Sequence, residues 1–517
     1  MSVISRLRWR IIVSTVFPTL ALVFALSSGM VAFAAGEHVI QISRDPFTNP
    51  DSQHQTEVEP DTFAFGNTIV TAFQQGRFFD GGASDIGFAT STNGGETFVH
   101  GSLPGSTVNS TPPNPTYGRG SDASVAFDAK HHVWLISWLG IKNASTGPVD
   151  VVVNRSTNGG LTWGTPVVVN ASGHFNDKNW TVCDNTPSSP HYGNCYTEYD
   201  DATQGDLEQM STSTDGGLTW GPGTPTADGA HGLGGQPLVQ PNGTVIVPYV
   251  GLDSNFFAFT ISAFKSTDGG ATWSASTLVS EADFHDPNPD GASGGIRGDI
   301  PLPSAEMDRS GKVYVTWSDC RFEASCKSSD LVLSTSSDGT TWSPVQRIPI
   351  DPVGSGVDHF IPGLAVDRTT AGNVAHLALA FYSFTQANCT LATCNLTVGF
   401  VSSVNGGKSW SRNAQLAGPM KLTWVAQTSQ GRMVGDYIST SIVPFGDVTP
   451  AFAAAQPPTP ATLTCGDPGS TCNEATFTAS QDLLRIVGGS IIMGSDSVLA
   501  HTSVTRSART KPAPTAF

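Results

Sequence analysis

One octet occurs six times in the chain, and this repeat constrains the fold more than any other feature of the sequence. The third copy reads STDGGLTW at residues 213–220, and successive copies begin 53 to 70 residues apart. The six copies occupy residues 91–98, 156–163, 213–220, 266–273, 336–342 (a contracted copy) and 403–410. Self-similarity at a nearly constant period indicates an array of equivalent structural units.

The residue types of the octet predict a tight turn between two strands. Asp-Gly or Asn-Gly between alternating polar and apolar runs is a strong hairpin signal, because glycine adopts positive φ without steric cost. The Asp or Asn side chain can accept hydrogen bonds from nearby backbone N–H groups. The Trp or Phe that ends each octet supplies a large apolar surface that can pack on a neighbouring unit. The octet therefore predicts a structural corner and carries no catalytic group.

Each octet follows three short β-like runs and precedes a fourth run. In the fifth unit, for example, the three runs are 304–308, 312–317 and 330–335. Four antiparallel strands repeated about every sixty residues predict a blade of a β-propeller. A seventh unit (436–443, 448–454 and 474–479) lacks the octet, and the isolated run 38–43 could supply its fourth strand. We therefore predict an all-β propeller with four-stranded blades, seven blades in preference to six, closed by the N-terminal strand.

Composition and charge suit a secreted all-β protein. Gly (55) and Pro (34) are abundant, and only 13% of residues are charged, as in chains with many turns. Three arginines and an apolar run precede Ala32-Phe33-Ala34, which predicts a signal peptide over 1–34; an uncleaved segment would anchor the protein at the cell surface. A single propeller domain (35–500) and a disordered tail (501–517) follow. The net charge of −17 argues against nucleic acid as a partner, and no later segment is long and apolar enough to span a membrane.

The eight cysteines form four pairs that are close in sequence. In a chain with a signal peptide, an even number of cysteines at short spacing predicts local disulfides. The sequence predicts bonds of Cys183 with Cys195, of Cys320 with Cys326, of Cys389 with Cys394, and of Cys465 with Cys472. A zinc site is disfavoured, because the sequence has no CxxC or HExxH spacing.

The octets resemble the Asp-box, or BNR, repeat, and the chain resembles the sialidase (neuraminidase) superfamily of β-propellers. The resemblance extends through nearly all of the chain after residue 34. It implies that the octets lie on the face away from the active site. It also implies an active site in which three arginines bind the substrate carboxylate, an Asp is the acid/base, and a Tyr backed by a Glu is the nucleophile.

The resemblance assigns these roles to named positions of the chain. Residues 71–77 are similar to the superfamily's strand that ends in Gly-Arg before the acid/base Asp, which implies substrate binding by Arg77 and acid/base catalysis by Asp80. Gly435-Asp436-Tyr437 opens the unit without an octet, where the superfamily places its nucleophile, and this implies that role for Tyr437.

Three further arginines are candidates for substrate binding. Arg321 lies in a loop that looks like the entry of a later arginine of the triad, and Arg432 is close to Tyr437 in sequence. Arg44 lies where the superfamily has its first arginine, although Arg44-Asp45-Pro46 lacks the Ile of the usual motif. The sialidase mechanism requires that at least three of these guanidinium groups reach one carboxylate.

Other polar residues precede the first strand of each unit and would surround a central channel. They are Asp122, Asp177, Asp299, Asp358, His359, Arg432 and Asp436. Two such carboxylates could serve as the acid and base of a glycosidase. They could equally bond to backbone N–H groups and hold neighbouring units in register.

The loop at 283–299 is rich in oxygen ligands. Asp286, Asp290 and Asp299 are candidates for calcium, the only cofactor that the sequence suggests. The loop lacks the EF-hand pattern, and Pro, Asp and Gly turns explain the same residues without a metal. We expect that catalysis needs no cofactor.

The sequence therefore favours a secreted sialidase-like hydrolase that removes an anionic terminal sugar from glycans. A first alternative is a non-catalytic propeller that binds a polysaccharide or a protein. A second is a glycosidase of other specificity that uses two carboxylates of the channel.

Overall fold

A computed structural model gives the fold of the chain between its two termini. The residues that it describes are 39–142, 147–252, 259–287, 295–298, 300–443, 447–479 and the backbone of 486–487 and 490–491. The predicted signal peptide (1–34) and tail (501–517) lie outside these residues, so both stay predictions. None of the helices in the described part of the chain has the length and apolarity that a membrane span needs.

Nearly all regular secondary structure in the described chain is antiparallel β-strand, which confirms the all-β prediction. The strands that precede the third octet are β1 Val39–Gln41, β2 Gln53–Phe65, β3 Thr68–Arg77, β4 Ala83–Ser91, β5 Val99–Ser102, β6 Arg119–Asp128, β7 Val133–Ile141, β8 Val149–Ser156, β9 Val167–Asn170, β10 Asn176–Cys183, β11 Cys195–Asp201 and β12 Leu207–Ser213. Strands β2–β5 form the first unit, β6–β9 the second, and β10–β12 begin the third.

The later strands continue the same pattern. They are β13 Thr224–Pro225, β14 Gly232–Leu233, β15 Leu238–Val239, β16 Val245–Leu252, β17 Phe259–Ser266, β18 Thr277–Ala282, β19 Ser304–Met307, β20 Val313–Asp319, β21 Asp330–Ser336, β22 Gln346–Arg347, β23 Asp358–Val366, β24 Leu377–Phe384, β25 Asn395–Ser403 and β26 Ala414–Lys421. Strand β13 completes the third unit, β14–β18 form the fourth, β19–β22 the fifth, and β23–β26 the sixth.

The C-terminal strands form a seventh unit that includes the N-terminal strand. A hairpin of β27 Ala426–Thr428 and β28 Gly431–Met433 precedes it, and its own strands are β29 Ser439–Val443, β30 Asp447–Ala455 and β31 Glu474–Ala479. Strand β1 pairs antiparallel with β31, opposing Val39 to Ala479. The predicted N-terminal run therefore does pair with the last unit. A short pair, β32 Ile486–Val487 and β33 Ser490–Ile491, follows.

Helical structure in the described residues is limited to four single turns of 3-10 helix. These are Ala202–Gln204, Ala324–Cys326, Gly372–Val374 and Leu422–Trp424.

All four predicted cysteine pairs are disulfide-bonded. The bond between Cys183 and Cys195 joins the end of β10 to the start of β11. The other three bonds close short loops: Cys320 with Cys326, Cys389 with Cys394, and Cys465 with Cys472. The structure therefore confirms the pairing that the short spacings predict.

The hydrophobic core lies between successive units. One cluster joins units four and five around Ile246 and Trp317, and another joins units two and three around Leu135 and Tyr199. Because each sheet buries one face against the preceding unit and the other against the next, its middle strands are buried along almost their whole length. Strand β7, for example, is buried from Val133 to Ile141.

The first strands of the units contact one another in chain order. Strand β2 contacts β6, β6 contacts β10, β10 contacts β15, β15 contacts β19, β19 contacts β23, β23 contacts β29, and β29 contacts β2. Side chains reinforce these contacts by bonding to the neighbouring backbone. Asp61 Oδ2 accepts from the N–H of Val125 (2.6 Å), and Ser304 Oγ accepts from the N–H of Leu364 (2.9 Å).

The six octets share one hydrogen-bonding arrangement. In the third copy the Ser213 hydroxyl donates to Asp215 Oδ1 (2.9 Å) and accepts from the N–H of Gly217 (2.9 Å), while the N–H of Thr219 donates to the same carboxylate oxygen. The corresponding serine bonds recur in the other five copies. The closing aromatics also pack on the preceding unit, as Trp273 does on Tyr196 with ring centroids 6.3 Å apart.

Candidate functional site

Four of the first strands contain a β-bulge at the same relative position. Their pairing registers shift at Val58/Asp61, Ser121/Ser124, Asp177/Trp180 and Phe360/Gly363. One residue inside each bulge has a positive φ: Glu59 (58°), Asp122 (47°), Lys178 (48°) and Ile361 (51°). Such conformations are uncommon for residues other than glycine, and bulges redirect the side chain that they carry. Three of the four redirected side chains are ionisable.

Three of these redirected side chains, Glu59, Asp122 and Lys178, meet Arg297 and Asp436 in one cluster. These five residues are named here the charged cluster. The Asp436 carboxylate accepts from Lys178 Nζ and from an Arg297 terminal nitrogen at 2.5 Å. Lys178 Nζ also lies 3.3 Å from Asp122 Oδ1. Glu59 Oε1 accepts from the backbone N–H of Asp436 at 3.0 Å. Strands β2, β6 and β10, the loop before β29 and the segment 295–298 therefore converge at one point.

Arg77, at the end of β3, extends the cluster. It is only 2% exposed, and one terminal nitrogen donates to Gln74 Oε1 (3.0 Å) and to the Gly82 carbonyl (2.8 Å). The amide of Gln74 in turn donates to Glu59. The Nε of Arg77 has no hydrogen-bond partner among the described residues, although it is buried. A buried guanidinium with an unused donor is a candidate for binding a ligand anion.

A pocket of about 260 Å³ opens over this cluster. Its charged lining residues, which define the charged pocket, are Arg77, Asp80, Asp122, Asp177 and Arg297. Asp177 directly precedes the bulge residue Lys178 in β10 and is partly exposed. Two guanidinium groups and several carboxyl groups thus share one small cavity.

The buried charges shift the pKa values of the groups around the pocket. Burial opposes the charge of Asp436, but Arg297 and Lys178 outweigh it and hold its pKa well below the usual range. Burial and the nearby Asp122 and Asp436 carboxylates raise the pKa of Glu59 to about 8. Burial also raises the pKa of Asp177 to about 6, although Lys178 partly offsets this effect. Glu59 is therefore largely protonated at neutral pH, and Asp177 titrates close to neutrality.

Tyr437, the predicted nucleophile, is buried and does not belong to the described lining of the charged pocket. It is 7% exposed, its hydroxyl donates to the Ala123 carbonyl at 3.0 Å, and its ring packs edge-on against Trp180. Burial and the Glu59 charge raise its pKa well above the usual range. A hydroxyl that is bonded to a backbone carbonyl and resists ionisation is poorly prepared for nucleophilic attack.

Asp80, the predicted acid/base, lines the charged pocket. Its carboxylate lies 2.6 Å from Arg119, and its side chain is 44% exposed. Arg119 also donates to the Gly81 carbonyl and covers the ring of Phe78, so it fixes the turn that carries Asp80.

The other predicted arginines lie elsewhere. Arg321 makes a two-point contact with Asp319 (2.8 and 2.6 Å) beside the Cys320–Cys326 disulfide. Arg432 is 3% exposed and donates to the carbonyls of Val425 and Cys465. Arg44 is exposed. Of the four predicted arginines, Arg77 alone lines the charged pocket, so these four residues do not meet the predicted requirement for three guanidinium groups around one carboxylate there. The cationic neighbours of Arg77 are Arg297 and Lys178.

The calcium candidates are only partly described. Asp290 and Asp299 lie outside the described residues, so the calcium site of Asp286, Asp290 and Asp299 stays a prediction. Within the described ranges, one group of three potential ligands has metal-like spacing: Asp330, Asp351 and His359. The Arg347 guanidinium lies 2.7 Å from Asp330 and 2.8 Å from Asp351, so this group already has a cation.

Sequence reasoning missed three members of the charged cluster: Glu59, Lys178 and Arg297. Lys178 did have a local signal, because it lies beside Asp177 near the start of a first strand. Asp122 and Asp436 lie near the starts of the first strands of their own units. Glu59 and Arg297 had no local signal. Glu59 depends on a bulge, and Arg297 lies in a loop that was notable only for its acids.

Comparison with known proteins places a BNR repeat-like domain at residues 133–363. This match spans four of the six octets and confirms their resemblance to BNR repeats. No curated protein matches the chain. Solved structures similar to the chain include a Hadza microbial sialidase, Hz136, at 12% identity and TM-score 0.45, covering 87% of this chain and 96% of that one.

Two further structures are similar at the same level. A leech intramolecular trans-sialidase complexed with 2,7-anhydro-Neu5Ac has 12% identity and TM-score 0.43, with 68% of each chain covered. A Trypanosoma rangeli sialidase in complex with sialic acid has 13% identity and TM-score 0.44, covering 68% of this chain and 57% of that one.

Proposed function

We propose that this chain with a BNR repeat-like domain is a secreted glycoside hydrolase that acts on glycans with an anionic terminal sugar, and that the charged pocket is its active site. The observation that carries the proposal is the meeting of Arg77, Arg297 and the titratable carboxyl of Asp177 in one cavity. Two guanidinium groups suit the carboxylate of an acidic sugar. A carboxyl group with a pKa near neutrality suits a general acid.

The charge of the cluster supports an anionic ligand. With Glu59 protonated, the cations Arg77, Lys178 and Arg297 face three Asp carboxyl groups, of which Asp177 has a pKa of about 6. When Asp177 takes up a proton, the pocket loses one negative charge and becomes more favourable for an anion. An anion therefore binds best when Asp177 is protonated. In that same state Asp177 can donate a proton to a leaving group.

We assign the general acid to Asp177 and the second carboxylate to Asp122. Both line the pocket on neighbouring first strands, as a glycosidase with two carboxyl groups requires. The resemblance instead favours Tyr437 and Asp80. Their contacts count against those roles, because the Tyr437 hydroxyl is bonded to a backbone carbonyl and Asp80 is paired with Arg119.

We further propose that the seven units are the blades of a closed propeller. The order of contacts among the first strands supports this architecture, because β29 of the last unit contacts β2 of the first. The pairing of β1 with β31 would then close the ring. The four disulfides agree with secretion into an oxidising environment.

A second candidate function is binding without hydrolysis. It is favoured by one observation, the pairing of Asp436 with both Lys178 and Arg297, because such a network can be purely structural. A binding protein would hold the sugar acid through Arg77 and leave the glycosidic bond intact.

Release of the fluorophore from a fluorogenic sialoside tests the proposal. We expect the purified protein to release it, Asp177→Asn to lower kcat/KM by about 100-fold or more, and Tyr437→Phe and Asp80→Asn to lower it by less than about tenfold. The opposite ranking would move the roles to Tyr437 and Asp80. If the wild type binds free sialic acid by calorimetry but releases no fluorophore, the binding function replaces the hydrolase.

A further inference from the structure

A pocket of about 550 Å³ lies at the octet end of the first strands, and we name it the apolar pocket. Six of the seven first strands contribute to its lining, namely β2, β10, β15, β19, β23 and β29. The turn after β2 links the pocket to an octet, because Gly66 lines the pocket and the carbonyl of the next residue, Asn67, accepts from the N–H of Gly94 at 2.8 Å. The apolar pocket therefore lies beside the octets.

The apolar pocket is separate from the charged pocket. The two linings have no residue in common. Strand β2 carries Glu59 of the charged cluster and, six residues later, Phe65 of the apolar pocket. Six residues of a strand span roughly 20 Å. A ligand in the apolar pocket is therefore distinct from a sugar in the charged pocket.

The apolar side chains of the lining offer a surface for an apolar ligand. The larger ones are Phe63, Phe65, Val239, Met307, Val366 and Ile442. The ring of Phe65 packs against Phe127 with centroids 4.4 Å apart, yet Phe65 stays 42% exposed. Cavities of several hundred Å³ with an apolar lining and a few polar groups are typical of sites for small molecules.

The three acids of the lining already have partners. Glu306 accepts from the Arg368 guanidinium at 3.0 Å. Asp308 and Asp367 each accept from the backbone N–H of the residue two positions later, at 2.9 and 2.8 Å. The charge of each acid is therefore compensated by a cation or by donors of its own turn.

Arg309 is the charged residue of the lining that remains for a ligand. Its backbone is fixed, because its N–H donates to the Thr370 carbonyl at 2.9 Å. Its side chain is exposed and forms no ion pair with any residue that the structure describes. A guanidinium group can donate two parallel hydrogen bonds to a carboxylate. Next to an apolar cavity, it suits a carboxylate whose remaining part is apolar.

We propose that the apolar pocket binds a small amphipathic carboxylate, whose apolar part packs on Phe65 and the neighbouring side chains and whose carboxylate is bound by Arg309. The inference goes beyond the proposed hydrolase, because this pocket lies at the other end of the first strands. It gives the octet end a ligand site in addition to its structural role.

Calorimetry with two matched ligands tests the site. Decanoate has an apolar chain and a carboxylate, whereas decan-1-ol has the same chain without the charge. We expect Arg309→Met to raise the Kd for decanoate by about fivefold and to leave the Kd for decan-1-ol within about twofold. We expect Phe65→Ala to raise both Kd values by about fivefold, because both chains lose the aromatic surface.

Two exposed residues outside the pocket supply matched controls. Arg412→Met and Phe79→Ala should leave both Kd values within about twofold, since neither residue lines the apolar pocket. Thermal unfolding checks that each variant is folded. The titrations contain no sialoside, so their outcome is independent of the proposed hydrolase.

Three results would overturn the proposal. The first is the absence of decanoate binding to the wild type. The second is an equal effect of Arg309→Met on decanoate and decan-1-ol, which would remove the carboxylate from the assignment. The third is a dimer in light scattering that Phe65→Ala dissociates, which would make the apolar pocket an interface between two copies of the chain.

Discussion

The two ends of the strands are built on different physical rules. Ile69, at one end of β3, pairs with Ser91 at the start of an octet, while Gln75 at its other end pairs with Glu57 near the charged cluster. At the octet end, short-range hydrogen bonds within eight residues repeat six times. At the other end, charges from distant parts of the chain meet once, on bulged backbone with positive φ. The repeated end defines the fold, and the unrepeated end contains the candidate chemistry.

This contrast is expected when function and folding place opposite demands on one architecture. A repeated turn can be specified locally, because its side chains bond to their own backbone. Buried charges gain little stability and are costly when unpaired. Their concentration at one end of the first strands is therefore better explained by a ligand than by folding. Variants at each end of the strands test whether the two ends differ in this way.

The largest effect is expected from breaking the charged cluster. Lys178→Met leaves Asp122 without its cation and Asp436 with Arg297 alone, so we expect the free energy of unfolding to fall by about 3–5 kcal/mol. Urea denaturation followed by intrinsic fluorescence measures this change. The double variant Lys178→Met/Asp122→Asn should recover part of the loss, because it removes the carboxylate that the single variant leaves without a cation. A loss below about 1 kcal/mol in the single variant would show that the cluster is not a tightly coupled network.

The second effect concerns the octet end, where backbone conformation and packing dominate. Gly270 has φ +84°, and an added Cβ would lie 2.3 Å from Thr212 Oγ1 in the preceding unit. Gly159 has nearly the same φ (+81°) but open space around it. We expect Gly270→Ala to cost about 3 kcal/mol and Gly159→Ala about 1 kcal/mol, because the second change introduces only the strain of the left-handed conformation. Thermal unfolding of both variants measures the difference, and equal losses would refute interunit packing by the octets.

Much of the fold could be predicted from the sequence because the octets and strand runs are local signals. The predicted run 474–479 coincides with β31, and the run 330–335 differs from β21 by one residue. The charged cluster could not be found in the same way. Lys178 reaches Asp436 only because its backbone has a positive φ and because the fold brings together two segments that are 258 residues apart in sequence. Neither fact is encoded in a short window of sequence.

The pairing of Arg321 illustrates the converse case. Its partner Asp319 is two residues away, so a local ion pair was available from the sequence alone. The resemblance to a distant site suggested a role in substrate binding instead, and the structure does not bring Arg321 to the charged pocket. For an arginine with an acid nearby in sequence, an ion pair with that acid is the better first hypothesis. Forming this local pair costs less conformational entropy than bringing a distant group to the arginine.

A third prediction concerns pH, which should affect ligand binding at one end only. Asp177 has a pKa raised to about 6, so protonation below that pH removes a negative charge from the charged pocket. We expect the Kd for sialic acid to rise by up to about tenfold per pH unit above about pH 6 and to level off below about pH 5. Calorimetry from about pH 5 to about pH 7, below the pKa of about 8 at Glu59, measures this slope. Asp177→Asn should flatten it, and a slope that persists in this variant would assign the titration to another group.

The smallest effect is expected for the acids of the octets, which titrate far from neutrality. Hydrogen bonds from Thr272 outweigh burial and lower the pKa of Asp268 to about 2. The ionised side chain therefore stabilises the folded state at any pH above the pKa of the unfolded chain. This stability is lost only as the pH falls toward about 2. The side chain is largely exposed, and three of the six octets carry Asn at this position. Asp268→Asn should therefore change the free energy of unfolding by no more than about 0.5 kcal/mol at about pH 7. The reverse change, Asn158→Asp in the second octet, should be tolerated equally. A loss above about 1.5 kcal/mol in either variant would mean that the octet acids do more than cap their own turns, and the contrast between the two ends would then be one of degree.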